Sequence, residues 1–447
     1  MSPAVLAILG LVLMFALGTA LPINMGALAF ALAFLIGTFS VGMSANQILA
    51  GFPGDLFVTL VGITYLFAIA QRNGTIDLLV HWAVRGVGGR IALIPWVMFL
   101  AAAALTAIGA VSPAAVAFIA PIALRFARAY RIDPLMMGLL VVHGAQGGGF
   151  SPISIYGGIT NQVVARAGLP GDEIALFLAS LFFNLAVAVL VFVVLGGLRL
   201  LRSPAAGELA HVEGGHRASV AVSGHGGTPA APRGEDAAVL EGDVTTPARV
   251  SGEQAATLVG LGVLAIGSLA FNLNVGLVAI TVAVGLALVA PNSQKGAIDK
   301  VSWSTVLLIS GVITYVAVLQ KSGAVDMVSN GVIGLGSAAL AALLLCYIGG
   351  IVSAFASSVG VLGATIPLAV PLIQQGEVGA VGMVAALAIS ATIVDVSPFS
   401  TNGALVLANA EEGERERLFR RFLVYSGLVV AFGPLLAWLV LVLPGWL

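Results

Sequence analysis

The chain has 447 residues, of which 59% are hydrophobic and only 9% charged, with a mean hydropathy of +1.09. Soluble domains carry roughly 25% charged residues, so this composition calls for lipid around the chain. The near-neutral balance, 19 Lys plus Arg against 20 Asp plus Glu, excludes nucleic acid and other polyanions as partners. The single cysteine, Cys346, excludes an intramolecular disulfide and a thiolate metal centre.

A bilayer core takes about 20 apolar residues per spanning helix. In chain order, Ala4 to Ala20, Pro22 to Val41 and Leu56 to Gln71 read as spans. The first lacks the basic flank of a cleaved signal and runs into a second apolar segment, so it reads as a retained helix. Ile76 to Gly88 is amphipathic, with His81 and Arg85 among its polar residues, and reads as a surface helix. Ile91 to Arg125 is too long for one span and is interrupted at Gly109 and at Ser112-Pro113, which predicts a re-entrant hairpin over about 91–128. Leu135 to Val142 opens a segment broken by the run from Gly144 to Asn161, a broken helix over about 135–167. Ile174 to Leu198 closes the first unit, 1–201.

Residues 202–254 are rich in Gly, Ala, Pro, Ser and His without apolar periodicity, and are expected to form a disordered linker. Its histidines, His211, His216 and His225, are too widely spaced for a metal site. The pattern then restarts as a second unit, 255–447. Its spans are Ala255 to Phe271, Val275 to Ala290 and Thr305 to Gln320, followed by a surface stretch near Val325 to Gly334. A hairpin over about 338–374 has its break near Ser357-Ser358. A broken helix over about 380–409 contains Asp395 to Gly403, and Leu418 to Leu443 ends the unit.

The two units are repeats. Gln71-Arg72-Asn73-Gly74-Thr75-Ile76-Asp77 aligns with Gln320-Lys321-Ser322-Gly323-Ala324-Val325-Asp326 at an offset of 249 (320 less 71). An offset of 246 (358 less 112) then pairs Ser112 with Ser358, Pro121 with Pro367, Ser151-Pro152 with Ser397-Pro398, Ser154 with Ser400 and Gly157 with Gly403. Lys and Arg collect on the cytoplasmic side of membrane proteins. With five spans and one hairpin per unit and the N-terminus outside, all of the 19 basic residues except Arg166 and Lys321 fall inside. The expected fold is therefore an all-α polytopic protein of two inverted repeats in the plasma (inner) membrane, with both termini outside and the linker cytoplasmic.

Backbone can leave a helix inside a membrane only where protein or a water-filled cavity surrounds it. Ser112-Pro113, Ser151-Pro152 and Ser397-Pro398 each pair a favoured N-cap with the favoured first helical residue, so each is expected to start a half-helix; Ser357-Ser358 can cap without proline. A half-helix start exposes free N–H groups and about half a positive charge, and four together suit a dianion. Gly147-Gly148-Gly149 and Gly157-Gly158 are expected to let a ligand approach the backbone. The candidate substrate-binding residues are Ser112, Pro113, Ser151, Pro152, Ser154, Asn161, Ser358, Ser397, Pro398, Ser400, Thr401 and Asn402, with Thr160 adjoining. The candidate coupling-ion residues are Asp395, Gly149, Ser112, Ser357, Ser358 and Asn402. Asp395 stands where the first unit has Gly149, and a carboxylate in a membrane takes a cation, a proton or several donors as partner.

The architecture and the opening unit resemble the divalent anion/sodium symporter relatives within the ion transporter superfamily, and most closely the malonate-type dicarboxylate carriers. The likeness is carried by Ser2 to about Leu198, including Gly147-Gly148-Gly149-Phe150-Ser151-Pro152-Ile153-Ser154-Ile155-Tyr156-Gly157-Gly158-Ile159-Thr160-Asn161. The resemblance implies a homodimer and an elevator-type mechanism, in which a scaffold holds a moving transport domain whose hairpin tips and broken helices embrace substrate and sodium. Better-known members carry Ser-Asn-Thr at each tip. The tips here read Ser112-Pro113-Ala114 and Ser358-Val359-Gly360, so only the serines carry over.

The expected function is secondary active import of a small dicarboxylate, of the malonate or C4 class, by symport with sodium or protons. No cofactor and no transition metal are expected, and sodium is the expected coupling ion. The alternative within transport is a carrier for another organic or inorganic anion. A cation/proton antiporter would place paired carboxylates at mid-membrane, whereas Asp395 stands alone. An intramembrane hydrolase built on His143 and Ser151 is the remote alternative, since no group to orient the histidine is evident. A cysteine at Ser219 in a Cys346→Ala background is expected to resist impermeant thiol reagents on whole cells and to react in inverted vesicles; labelling from outside would reverse the topology.

Overall fold

The computed structural model describes residues 1–85, 90–201, 250–325, 327, 337–354, 358–376 and 378–445. Ser357, residues 202–249 of the expected linker and most of the stretch from Val325 to Gly334 lie outside the described residues. Every regular element among the described residues is a helix. The first unit contains α1 (Pro3–Ala20), α2 (Met25–Ile36), α3 (Gly54–Arg72), α4 (Thr75–Arg85), α5 (Ile94–Ala107), α6 (Ser112–Ala129), α7 (Pro134–Gly148), α8 (Ile155–Arg166) and α9 (Glu173–Val194). The second contains α10 (Gly252–Leu269), α11 (Val275–Val289), α12 (Trp303–Lys321), α13 (Ala338–Ser353), α14 (Ser358–Gln374), α15 (Ala380–Ile393), α16 (Thr401–Ala408) and α17 (Glu412–Leu441).

The boundaries follow from local chemistry. Ser2 caps α1 ahead of Pro3, and Ser251 opens α10 with a capping box in which Ser251 and Gln254 bond each other's backbone N–H. That box starts α10 at Gly252, three residues before the apolar run that marks it in the sequence. Asn24 and Asn274 cap α2 and α11. Gly109, at φ 119°, turns the chain between α5 and α6.

Seven helices among the described residues are long and apolar enough to cross a membrane. Their burial separates centre from rim. In the most apolar window, 89% of the stretch Ala380–Ala408 is buried, against 28% for Glu173–Val194 and 28% for Glu412–Leu441. Phe182, Leu190 and Val194 of α9 and Val424, Leu428 and Phe432 of α17 are exposed apolar side chains, as a lipid-facing surface requires. The breaks themselves are mostly buried, with Phe399 and Thr401 the exposed residues beside the second.

The two units pack reciprocally. Helix α2 lies on α12 of the other unit, and its repeat partner α11 lies on α3. The match extends to atoms: a Cβ on Gly26 would stand 2.0 Å from the Leu307 carbonyl oxygen, and one on Gly276 2.5 Å from Cα of Thr59. Likewise Gly311 meets the Gly26 carbonyl and Gly62 the Gly276 carbonyl. Mutual contact of equivalent positions is what a pseudo-two-fold axis produces. Lipid tails give helices no hydrophobic reason to associate, so close backbone approach through small residues holds this seam together. Gly26→Ala and Gly276→Ala are each expected to cost about 1–3 kcal/mol, the usual cost of overpacking, read as a lower thermal midpoint of the purified protein.

Candidate functional site at the hairpin tips and broken helices

The two breaks are built alike. At the first, α7 runs to Gly148, and Ser151-Pro152-Ile153-Ser154 forms a β-turn closed by Ser154 N–H to the Ser151 carbonyl at 2.9 Å. At the second, Ser397-Pro398-Phe399-Ser400 closes at 3.0 Å. Proline thus occupies the second turn position, which its fixed φ suits, rather than the first position of a helix. The N-caps are Ser154 and Ser400. Ser154 Oγ accepts from Gly157 N–H at 3.2 Å and donates between the Gly149 (2.5 Å) and Ser151 (2.6 Å) carbonyls. Ser400 Oγ accepts from Gly403 N–H at 3.3 Å and donates between those of Asp395 (2.5 Å) and Ser397 (2.7 Å).

Three expectations are corrected here. Ser151-Pro152 and Ser397-Pro398 are turns ahead of the half-helices, because the second serine of each cluster reaches both the helix N–H groups and the preceding carbonyls. At the first tip, Ser112 is itself the first residue of α6, with Pro113 second and no side-chain cap. The first break is also shorter than the run from Gly144 to Asn161. Gly144 and Gly148 lie inside or at the end of α7, where added Cβ atoms would meet the Phe99 and Ala103 carbonyls at 2.2 and 2.0 Å. They serve the α5–α7 contact, and Gly158 alone of that set faces open space.

The structure joins the candidate residues in two groups. In the first, Asn402 of α16 donates its carboxamide N–H to Ser112 Oγ at 2.9 Å, across 290 positions of sequence. Asn402 Oδ1 is buried without a partner. In the second, Ser358 Oγ donates to Asp395 Oδ1 at 2.6 Å, and Ser353 Oγ lies 2.8 Å from Ser358 Oγ. Ser112, Ser151, Ser154, Ser358, Asp395, Ser397, Pro398, Ser400 and Asn402 are all buried. Ser397 Oγ accepts from Phe399 N–H, and Ser151 Oγ donates to the Ala107 carbonyl.

Other candidates stand apart. Thr401 is exposed. Asn161 lines a separate cavity of about 200 Å³ with Asp172, Glu173, Val381 and Val384, at the far end of α8. Thr160 is fully buried with its hydroxyl unpartnered.

Two participants were missed in the sequence. Ser353 Oγ bonds Ser358 Oγ at 2.8 Å, and Tyr156, buried at the start of α8, stands opposite Asn402 in the repeat. Their signal was available in the repeat: at the 246-residue offset Ser353 aligns with Ala107 and Tyr156 with Asn402, polar mismatches like that of Asp395 with Gly149.

No ion pair involves Asp395 among the described residues; the pairs found are Arg128–Glu411, Arg166–Asp55, Arg420–Glu416 and Arg421–Asp133. Asp395 Oδ1 accepts from Ser358, which is linked through Ser353 to the Ala391 carbonyl, and these are hard oxygen donors of the kind alkali and alkaline-earth cations take. No cluster of three or more His, Cys, Asp or Glu occurs among the described residues.

His143 does have partners, contrary to the sequence reading. Asn184 Nδ2 donates to the Ser180 carbonyl at 3.0 Å, which turns its Oδ1 to His143 Nδ1 at 3.0 Å. Nε2 meets the Tyr425 hydroxyl at 2.7 Å. Both ring nitrogens are thereby engaged between α9 and α17, and neither is bonded to Ser151. A nucleophile with its base is not assembled.

The glycines after the breaks are predicted to be the least replaceable residues of the site. A Cβ on Gly157 or Gly403 would stand 2.0 Å from the Ser151 or Ser397 carbonyl oxygen. Gly157→Ala and Gly403→Ala should each lower the thermal midpoint and weaken substrate binding, whereas Gly158→Ala should leave the midpoint unchanged.

Residues 1–149 match the family described as dicarboxylate carrier protein MatC N-terminus. Among solved structures, the YdaH transporter of Alcanivorax borkumensis, whose crystal structure was reported to reveal an unusual topology, is similar with a TM-score of 0.56. The likeness covers 98% of this chain and 98% of that one at 15% sequence identity, and it bears on the fold alone. No curated protein matches the chain. The family match thus covers the opening third of the chain, whose first unit is similar to the dicarboxylate carrier proteins.

Proposed function

We propose that the chain is a secondary active transporter that imports a small dicarboxylate, of the malonate or C4 class, by symport with sodium or protons. The family match over residues 1–149 supports the substrate class. The observation that carries the mechanism is the pairing of each hairpin tip with a break: Ser112 with Asn402 and Ser358 with Asp395, all buried and none ion-paired to an arginine or lysine among the described residues. Helix N-termini and hydroxyls supply donors for a carboxylate without a buried cation. Asp395, Ser358 and the neighbouring carbonyls fit sodium as the co-transported ion.

Inverted insertion of the two units is part of the proposal. The contacts support the sidedness read from the basic residues, because they join ends assigned to one face. On the cytoplasmic face Arg128 meets Glu411 at 3.3 Å and Arg421 meets Asp133 at 2.8 Å, while Asn73 bonds Thr257 at 2.7 Å. On the opposite face Arg166 pairs with Asp55. Exposed pairs of this kind contribute at most about 1 kcal/mol each, so they report proximity more than stability. Helices α1 to α3 and α10 to α12 then form the scaffold, α5 to α9 and α13 to α17 the unit that moves as an elevator, and the protein works as a homodimer.

Purified protein in liposomes tests the reading. Labelled malonate or succinate should accumulate unchanged when an inward sodium or proton gradient is applied, and Asp395→Asn should abolish or alter that ion dependence more than it changes substrate choice. Failure of every dicarboxylate to accumulate under either gradient would overturn the proposal.

A further inference from the structure

The tip serines Ser112 and Ser358 are equivalent by the repeat, yet their hydroxyls are wired in opposite senses. A hydroxyl has one hydrogen to give and two lone pairs to receive. Ser112 Oγ receives the Asn402 N–H at 2.9 Å, which leaves its own hydrogen to donate, and no acceptor takes that hydrogen among the described residues. Ser358 gives its hydrogen to Asp395 Oδ1 at 2.6 Å and receives the Ser353 hydroxyl at 2.8 Å, so one lone pair and no hydrogen remain to face a ligand. The cause lies in the mismatched positions of the repeat. Asp395 aligns with Gly149 and Ser353 with Ala107, so the first tip has neither the carboxylate nor the second hydroxyl. Asn402 aligns with Tyr156, so the second tip lacks the carboxamide that sets Ser112.

Charge points the same way. A carboxylate beside Ser358 repels an anion and attracts a cation, and the low-dielectric surroundings of a buried site strengthen both effects. At the other pole, Ser112 is 3% and Asn402 1% exposed, and the unpartnered Asn402 Oδ1 marks a place where a ligand and its water complete the hydrogen bonding.

We infer that the site is polarised: the first tip, Ser112 as set by Asn402, takes the anion, and the second, Ser358 with Asp395, takes a monovalent cation. Each tip serves one ligand, and the symmetric backbone carries an asymmetric division of labour. This rests on the transport reading above and assigns a separate role to each half of its site.

Two binding measurements on the purified full-length protein test the division: malonate binding at saturating sodium by calorimetry, and ²²Na⁺ binding without substrate. Ser112→Ala should weaken malonate about tenfold or more, as loss of a hydrogen bond to a charged group does, and leave ²²Na⁺ binding unchanged. Ser358→Ala should do the reverse. Ser112→Thr, which keeps the hydroxyl, should restore malonate affinity and so separates this role from a folding defect. Asn402→Asp, whose carboxylate would capture the Ser112 hydrogen, should reproduce the loss seen in Ser112→Ala. If both alanine variants lose the same ligand, or both lose the two ligands equally, the division of labour is wrong. A parent protein that binds ²²Na⁺ but no dicarboxylate would instead overturn the substrate reading, and loss of ²²Na⁺ binding in Ser358→Ala alone would still uphold the cation pole.

Discussion

Backbone N–H and C=O groups cannot be left unpaired within a bilayer, and the centre of this protein contains two places where the helical ladder stops. The hydroxyls of Ser154 and Ser400 answer that constraint. Each receives an N–H from the helix that follows and gives its hydrogen to carbonyls of the turn that precedes, so one side chain serves both sides of the break. Gly157 and Gly403 are required by the same arrangement, since the turn carbonyl occupies the space a Cβ would need. The serines of both breaks are buried, and 89% of the apolar window around the second is buried too.

On this duplicated frame the chemistry diverges at few positions. The backbone bonds at Ser154 and Ser400 agree to within 0.1 Å, while Gly149, Ala107 and Tyr156 face Asp395, Ser353 and Asn402 in the alignment. The two half-helix starts share one geometry, and the divergent residues give their neighbouring serines different hydrogen-bond partners. A carboxylate on one side and a carboxamide on the other give two hydroxyls of the same residue type opposite hydrogen-bond roles.

The seam between α2 and α12, and its counterpart between α11 and α3, shows how the frame is held. Glycines at 26, 62, 276 and 311 bring backbones into contact, and Asn24 adds a bond to Ser304 Oγ at 2.9 Å. These contacts span the two units, so neither forms this surface by itself. The His143 bridge plays a similar part farther out, tying α7 to α9 and α17 through neutral groups. A buried polar network with every ring nitrogen engaged rigidifies the elements that carry the breaks.

The all-helical, apolar character of the chain and the positions where its helices break off were legible in the sequence, because bilayer thickness sets helix length and departures from apolar runs are costly. The repeat alignment also pairs Ser154 with Ser400, and the structure gives both the same cap bonds. Other features were settled only by tertiary structure. Whether Ser151 or Ser154 caps α8 depends on which carbonyls the turn presents, and spacing alone does not carry that. Whether Gly144 and Gly148 meet a ligand or a neighbouring helix depends on α5, some 40 positions earlier in the chain. Ser112 and Ser358 find their partners 290 and 37 positions away, and hydrogen-bond direction exists only once those partners meet.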